Sequence, residues 1–286
     1  MIKQKITAWE MRYGGRTLAA EAPCSLYSVL LAHKIIEDPF YRLNEAAATA
    51  LSEQGMELSA KIFVTEAMLA KKHVDVHFLG VDTLCEAYLN GEFLLGMENM
   101  HREWRADARE LLRAGENELL LRFASPSEYI RRKNAEHYLY TSTAGGAVME
   151  GTGHIRKASC MFGWDWGPQL PDMGIYRDVL LEAYDARMED ISVRQEHAGG
   201  EVKLRLCASA VGAPQGARIR AVLTAPSGER RETEFPAGGE GEIEVENPAL
   251  WWPNGLGGNR FTACAWSSWR AAKRSTARRG ALACAR

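Results

Sequence analysis

No long apolar run occurs in this 286-residue chain. Stretches such as Val29-Leu30-Leu31-Ala32 fall far short of the ~20 residues that cross a bilayer, so no membrane association is expected. The first ten residues, Met1 to Glu10, carry charge but no apolar core, and no secretory leader is read there. No Asn-x-Ser/Thr sequon occurs. No Cys-x-x-Cys pair joins any of the six cysteines (Cys24, Cys85, Cys160, Cys207, Cys264, Cys284). Their wide, irregular spacing reads as reduced, mostly buried thiols of a cytoplasmic protein, and excludes the close ligand pairs of a zinc site. None of the seven histidines forms His-Glu-x-x-His. His73 and His77 would share a helix face, but they sit in an alternating segment and read as ordinary core or surface histidines. No metal and no cofactor is expected.

Acidic residues are missing from positions 259–286, which hold seven basic side chains. The rest of the chain holds 28 basic and 37 acidic residues, a net −9 hidden inside an overall −2. An acidic body lacks the basic stripe of a nucleic-acid binder, so no nucleic-acid partner is expected. With 46% hydrophobic and 25% charged residues the composition is that of a globular protein, and the length suits about two domains.

What is present is mostly β-pattern. A short helix is expected over 25–37, with Ser25 as its cap and Leu26, Val29 and Leu30 on one face. Asn44 is expected to cap a second helix running to Leu51. Beyond it, Val74, Val76 and Phe78 alternate with Asp75, His77 and Leu79. Asn90-Gly91 stands between the apolar runs Ala87–Leu89 and Phe93–Leu95, the strongest short hairpin signal, because a type I′ turn needs positive φ at both central residues. Further strands are read at Glu118–Phe123 and Ile175–Ala183. A second block begins after Tyr184-Asp185, with strands at Ile191–Arg194, Glu201–Leu206, Arg218–Leu223 and Gly241–Val245, and a Gly199-Gly200 turn. Short strands at this spacing read as β-sandwiches.

One segment is unusual: Phe162-Gly163-Trp164-Asp165-Trp166-Gly167-Pro168, then Pro171, then Gly174-Ile175-Tyr176-Arg177-Asp178-Val179. Two accounts of its residues stand. The indoles stack on the C–H face of a pyranose while the carboxylate accepts from adjacent hydroxyls. Alternatively, Trp164 and Trp166 are core aromatics and Asp165 caps a loop.

This run resembles the F-G-W-D-W-G-P signature of the β-mannosidases of glycoside hydrolase family 2. Asp38-Pro39-Phe40-Tyr41-Arg42-Leu43-Asn44-Glu45 is similar to their D-P-F-Y-x-x-N-E. Leu89-Asn90-Gly91 and Glu98-Asn99-Met100-His101-Arg102-Glu103-Trp104 resemble their hairpin and the segment after it. Asn247 to Gly257, with Trp251-Trp252-Pro253, resembles a motif of their second domain. The resemblance runs from about Trp9 to Gly257. It implies an all-β chain: a galactose-binding-like jelly-roll β-sandwich over 1–183, then an incomplete immunoglobulin-like sandwich over 184–258.

The resemblance also implies a retaining exo-glycosidase acting on a β-mannoside through two glutamates. These belong to a (β/α)₈ barrel that follows the second sandwich in such enzymes and that this sequence does not reach. No catalytic residue is therefore assigned within 1–286. The first domain is expected to lend a loop to the mannose site, with Asp165 binding hydroxyls, Trp164 and Trp166 walling the site and Asn99 a second binding residue. Arg156 and Lys157 are expected to pair with Asp165 or with the barrel. A freestanding carbohydrate-binding module and an interaction scaffold are the competing readings. Residues 259–286 are expected to be an irregular basic tail. A shift of reading frame in GC-rich DNA produces such a composition, and that is the origin expected for it.

Overall fold

The computed structural model describes residues 1–141, 148–258, 262–270 and 273–282. The chain divides into two compact units, Ile2–Ala183 and Tyr184–Arg286, the second including Met1. No helix among the described residues is long and apolar enough to cross a membrane.

In the first unit, a six-stranded sheet runs in the order β3 (Arg16–Glu21), β2 (Ala8–Tyr13), β5 (Met56–Val64), β11 (Gly115–Phe123), β8 (Cys85–Leu89), β9 (Glu92–Met97). A four-stranded sheet runs β1 (Ile2–Ile6), β13 (Val179–Tyr184), β6 (His73–Phe78), β10 (Trp104–Asp107). Three short strands, β4 (Cys24–Ser25), β12 (Gly174–Ile175) and β7 (Val81–Asp82), form a third, small sheet. Period-two alternation creates the core. Trp9, Met11 and Tyr13 of β2 and Leu119, Leu121 and Phe123 of β11 are buried, as are Val74, Val76 and Phe78 of β6 and Leu181 of β13, and all belong to one apolar cluster. The Asn90-Gly91 turn has φ of +53° and +87°, and it sets Leu89 opposite Glu92. Gly55 is required for a different reason: a Cβ there would lie 2.1 Å from the carbonyl oxygen of Phe123.

Among the described residues, four α-helices complete this unit: α1 (Leu26–Ala32), α2 (Asn44–Leu51), α3 (Glu66–Leu69) and α4 (Pro126–Glu136). Ser25 caps α1 in a reciprocal box with Ser28, and Leu26, Val29 and Leu30 are buried. The helix stops at Ala32, short of the expected span. Asn44 is not a cap. It lies inside α2 and its amide donates to the carbonyl of Asp38 (2.9 Å), closing the loop before the helix. Of the cysteines, Cys24, Cys85 and Cys264 are buried, Cys207 is half-buried and Cys160 exposed, and all five are free. Cys284 lies outside the described residues.

The second unit has a three-stranded sheet, β14 (Arg187–Ala198), β15 (Glu201–Val211), β18 (Glu240–Val245), and a four-stranded sheet, β17 (Arg230–Pro236), β16 (Arg218–Thr224), β19 (Thr262–Arg270), β20 (Lys273–Leu282). Leu204, Leu206, Ile219, Ala221 and Phe235 fill its core. Trp251 is half-buried and Trp252 is 40% exposed. The expectation of an irregular stretch after Gly258 is corrected here. Thr262–Arg270 pairs antiparallel with β16, and Lys273–Leu282 pairs with it in turn. Thr262, Cys264 and Trp266 are buried while Ala263 is exposed, with Trp266 edge-on to Phe235 at 6.4 Å. The intervening positions are Ala and Ser, whose weak polarity contrast hides the alternation. The edge of β16 supplies the backbone partners that make the segment a strand. Residues 259–261, 271–272 and 283–286 lie outside the described residues.

The outward face of the four-stranded sheet carries a charge ladder. From β6, Asp75 and His77 point away from the apolar core yet are themselves buried. Arg105 of β10 reaches Asp75 (3.1 Å), His77 Nδ1 (2.7 Å) and Glu182 of β13 (2.5 Å), and Lys3 of β1 also pairs with Glu182. A guanidinium only donates, so His77 Nδ1 accepts, and the Nε2 proton faces Glu103 (2.8 Å). Burial pushes the Glu182 carboxyl up, but the Lys3 ammonium and the Arg105 guanidinium beside it outweigh that and hold it below the usual carboxylate range. A depressed folded-state pKa gives stability that is present above the unfolded value of ~4.3 and is lost as pH falls below it. Glu182→Gln is expected to cost about 3–5 kcal/mol near pH 7. It also flattens the acid limb, which urea unfolding across a pH series measures.

Candidate functional site

The segment holding Trp164, Asp165 and Trp166 is fixed at its base. Phe162 is buried against Ile130 of α4 and Ile155. Its carbonyl accepts from the amide of Met149 (3.0 Å), and the amide of Leu170 donates to the carbonyl of Met161 (2.9 Å). Isolated bridges join Val148 to Gly163 and Phe162 to Gln169. Helix α2 holds the other side. Glu45 accepts from the amide of Gln169 (2.7 Å), and the hydroxyl of Thr49 donates to the Gln169 carbonyl.

Between these anchors the backbone turns sharply. Gly163 has φ +97° and Trp164 φ +73°. A left-handed conformation at a non-glycine residue costs about 1–2 kcal/mol and persists only where surroundings enforce it. The result is a single 3₁₀ turn with all three side chains outward. Trp164 is 45% and Trp166 55% exposed, their rings perpendicular with centroids 4.5 Å apart. Asp165 is exposed and has no hydrogen bond or ion pair among the described residues. The account of Trp164 and Trp166 as core aromatics is therefore not what the fold adopts. Phe40, Tyr41 and Leu43, just before α2, are also strongly exposed.

Lys157 does not pair with Asp165. Its ammonium is buried, donates to the carboxylate of Asp82 in β7, and donates to the carbonyl of Asp172 (2.7 Å). Burial pulls the Lys157 pKa down, against the opposing pull of Asp82. The Asp172 carboxylate accepts from the amides of Met173 (2.9 Å) and Tyr27 (3.3 Å) in α1, and burial pushes its pKa up. Sequence spacing gave no signal for the Asp82 partner, which lies 75 positions away. Arg156 is exposed, and its carbonyl accepts from the amide of Met100 (3.0 Å).

Asn99 is placed apart from the tryptophans. It bridges to Arg156 through the backbone. Its side-chain oxygen accepts from the amide of His101 (2.9 Å), and its carbonyl accepts from the indole N–H of Trp104 (3.0 Å). No hydrogen bond or ring contact among the described residues joins it to Trp164, Asp165 or Trp166. Its observed contacts are those of a turn.

Comparison with known proteins adds the family context. The model of the glycosyl hydrolase 2 galactose-binding domain-like family matches residues 9–177. A β-mannosidase B of Aspergillus terreus is 30% identical over 247 residues, 83% of this chain and 29% of that protein. A β-mannosidase of Capra hircus is 32% identical over 184 residues, 62% of this chain and 21% of that protein. A crystal structure of a β-D-mannosidase from Dictyoglomus thermophilum superposes with a TM-score of 0.87 at 24% identity. It covers 99% of this chain and 36% of that one, a likeness of fold. The chain thus spans less than a third of the length of these curated relatives.

Lys157→Ala is expected to destabilise the first unit by about 3–5 kcal/mol, because it strands a buried Asp82 carboxylate. A lowered urea midpoint together with faster proteolysis between Val148 and Asp172 checks this. Arg156→Ala, an exposed change, leaves both within error.

Proposed function

The chain belongs to the glycosyl hydrolase 2 galactose-binding domain-like family, and from that premise we propose that it is the N-terminal, non-catalytic region of a retaining exo-β-mannosidase. Such an enzyme removes terminal β-D-mannose residues. The reading is supported most by one observation: Asp165 stands, without a partner among the described residues, between two half-exposed, mutually perpendicular indoles on a loop anchored at both ends.

That arrangement suits a pyranose. The two oxygens of a carboxylate accept from two adjacent hydroxyls, while an indole face packs on the C–H face of the ring. Anchoring means the loop loses little freedom on binding, so more of the interaction energy appears as affinity. In this reading Asp165 binds hydroxyls of the terminal mannose and Trp164 and Trp166 wall the site. Two glutamates of a (β/α)₈ barrel, outside residues 1–286, supply acid/base and nucleophile at the ~5–5.5 Å separation of retaining enzymes. Hydroxyl contacts that tighten as the oxocarbenium ion forms lower the barrier as well as KM.

In a polypeptide that joins this chain to a β-mannosidase barrel, Asp165→Ala is expected to lower kcat/KM about 10–100-fold, from the loss of a charge-assisted hydrogen bond of ~1.5–3 kcal/mol. Unchanged kcat/KM on 4-nitrophenyl β-D-mannopyranoside removes the role of the loop. The 286-residue chain alone is expected to release no nitrophenol. Tight mannose binding by the chain alone in calorimetry favours a freestanding carbohydrate module instead.

A further inference from the structure

A cleft of about 650 Å³ opens beside one end of the six-stranded sheet, lined by Glu86 of β8, Gly96 of β9, Glu98, Trp104, Arg122 of β11 and Tyr129 of α4. Its size falls in the ~300–1,000 Å³ range of small-ligand sites. It shares no residue with the Trp164–Trp166 loop.

Three features of its lining point the same way. The first is Gly96. It lies inside β9, opposite Glu86 in register, and a Cβ there would meet only the Phe93 ring, at 3.9 Å. Nothing in the fold demands glycine at this position, and a glycine in a strand interior weakens the strand by roughly 0.5–1 kcal/mol. Such a glycine marks a bulge, a tight bend or a place where a ligand or another backbone approaches closely; the β8–β9 register shifts between Ala87 and Tyr88, just beyond the Glu86–Gly96 pair, and the open space over Gly96 leaves room for an approach as well.

The second feature is a pair of unused polar groups. Glu98 is exposed and has no hydrogen bond or ion pair among the described residues, and the Tyr129 hydroxyl has no hydrogen bond there either. The third is that the other lining groups are already held. The Trp104 indole N–H donates to Asn99 (3.0 Å), and Arg102 lies 4.4 Å from the Trp104 ring centroid. Arg122 donates to Glu57 (3.0 Å) and lies over Tyr88 at 4.8 Å, while the Tyr88 hydroxyl donates to one oxygen of Glu86 (2.7 Å). The second Glu86 oxygen has no hydrogen bond among the described residues.

The cleft therefore offers a fixed, half-buried indole with Arg102 over its ring, two carboxylates that accept, a phenol that does either, and a floor without a side chain. A ring with an apolar C–H face and several hydroxyl donors fits that set. An anion does not, because Glu86 and Glu98 repel it. We propose that this cleft is a second saccharide-binding site, taking a neutral pyranose unit. The proposal stands independently of the role given to Asp165.

The test is NMR titration of the 286-residue chain with mannotriose, cellotriose and, separately, glucuronic acid. A neutral trisaccharide is expected to shift the Trp104 indole N–H and the Gly96 amide, with glucuronic acid at least about tenfold weaker. Gly96→Leu, which fills the cleft from a strand position with room for a side chain, is expected to abolish the Trp104 shift. Glu98→Ala, an exposed change that tests the same cleft without altering the strand, weakens binding about tenfold. The proposal is overturned if neither trisaccharide shifts Trp104, if binding survives Gly96→Leu or Glu98→Ala unchanged, or if shifts are confined to the Trp164 and Trp166 indoles. The last outcome places the sugar on the loop alone.

Discussion

The buried ion pair between Lys157 and Asp82 is the constraint on which the candidate loop depends. An ammonium withdrawn from water is stable only beside a carboxylate, so wherever Lys157 is buried, β7 and the loop stem must meet. The same ammonium holds the carbonyl of Asp172, whose carboxylate takes amides from α1 and from Met173. One network thus ties β7, α1 and both ends of the segment containing Trp164. What it holds out is unfavourable by itself: a tryptophan at positive φ and two large aromatic rings in water. Strain of that kind survives only on a base that cannot relax, and Phe162 with the ion pair provides one.

The same logic governs the four-stranded sheet. Strand β6 is buried on both faces, apolar toward the core and charged toward the outside. Buried charges contribute little net stability, because desolvation offsets attraction. They do fix register, since sliding β10 by one residue would turn Arg105 away from Asp75, His77 and Glu182. The outer face of the second unit differs. There Glu196 and Glu242 are exposed and Lys203 and Arg205 half-buried, and their pairs are worth a few tenths of a kcal/mol each.

Local chemistry made parts of this protein legible from its residues. Ser25 before an apolar face is a cap, and Asn90-Gly91 between apolar runs is a hairpin, because each depends on neighbours within three or four positions. The alternation of β6 was equally plain, but only half its meaning was. Asp75 and His77 showed only as the polar half of the alternation, whereas Glu103 and Arg105 from one distant segment and Glu182 from another cover them. Asn44 misled for a related reason: an amide before an alanine run is a good cap until Asp38 claims it. Strand β19 was hidden because alanine and serine give an alternating strand little contrast, and the free edge of β16 had no local signature.

At the site, Trp164, Asp165 and Trp166 were evident as a group, and their exposure was not. A motif of two tryptophans serves a core as readily as a surface. Residue identities and short spacings by themselves determined the turns, the strand faces, the all-β character and the chemistry available to the Trp-Asp-Trp segment. Only the tertiary structure decided that Lys157 answers Asp82 and leaves Asp165 open, that Asn99 spends its side chain on a turn, and that Gly96, Glu98 and Tyr129 share a cleft. The physical reason is one of range. Alternation and capping are settled by bonds a few residues long, while the partner of a buried charge and the contents of a cleft are settled by which distant segments pack together.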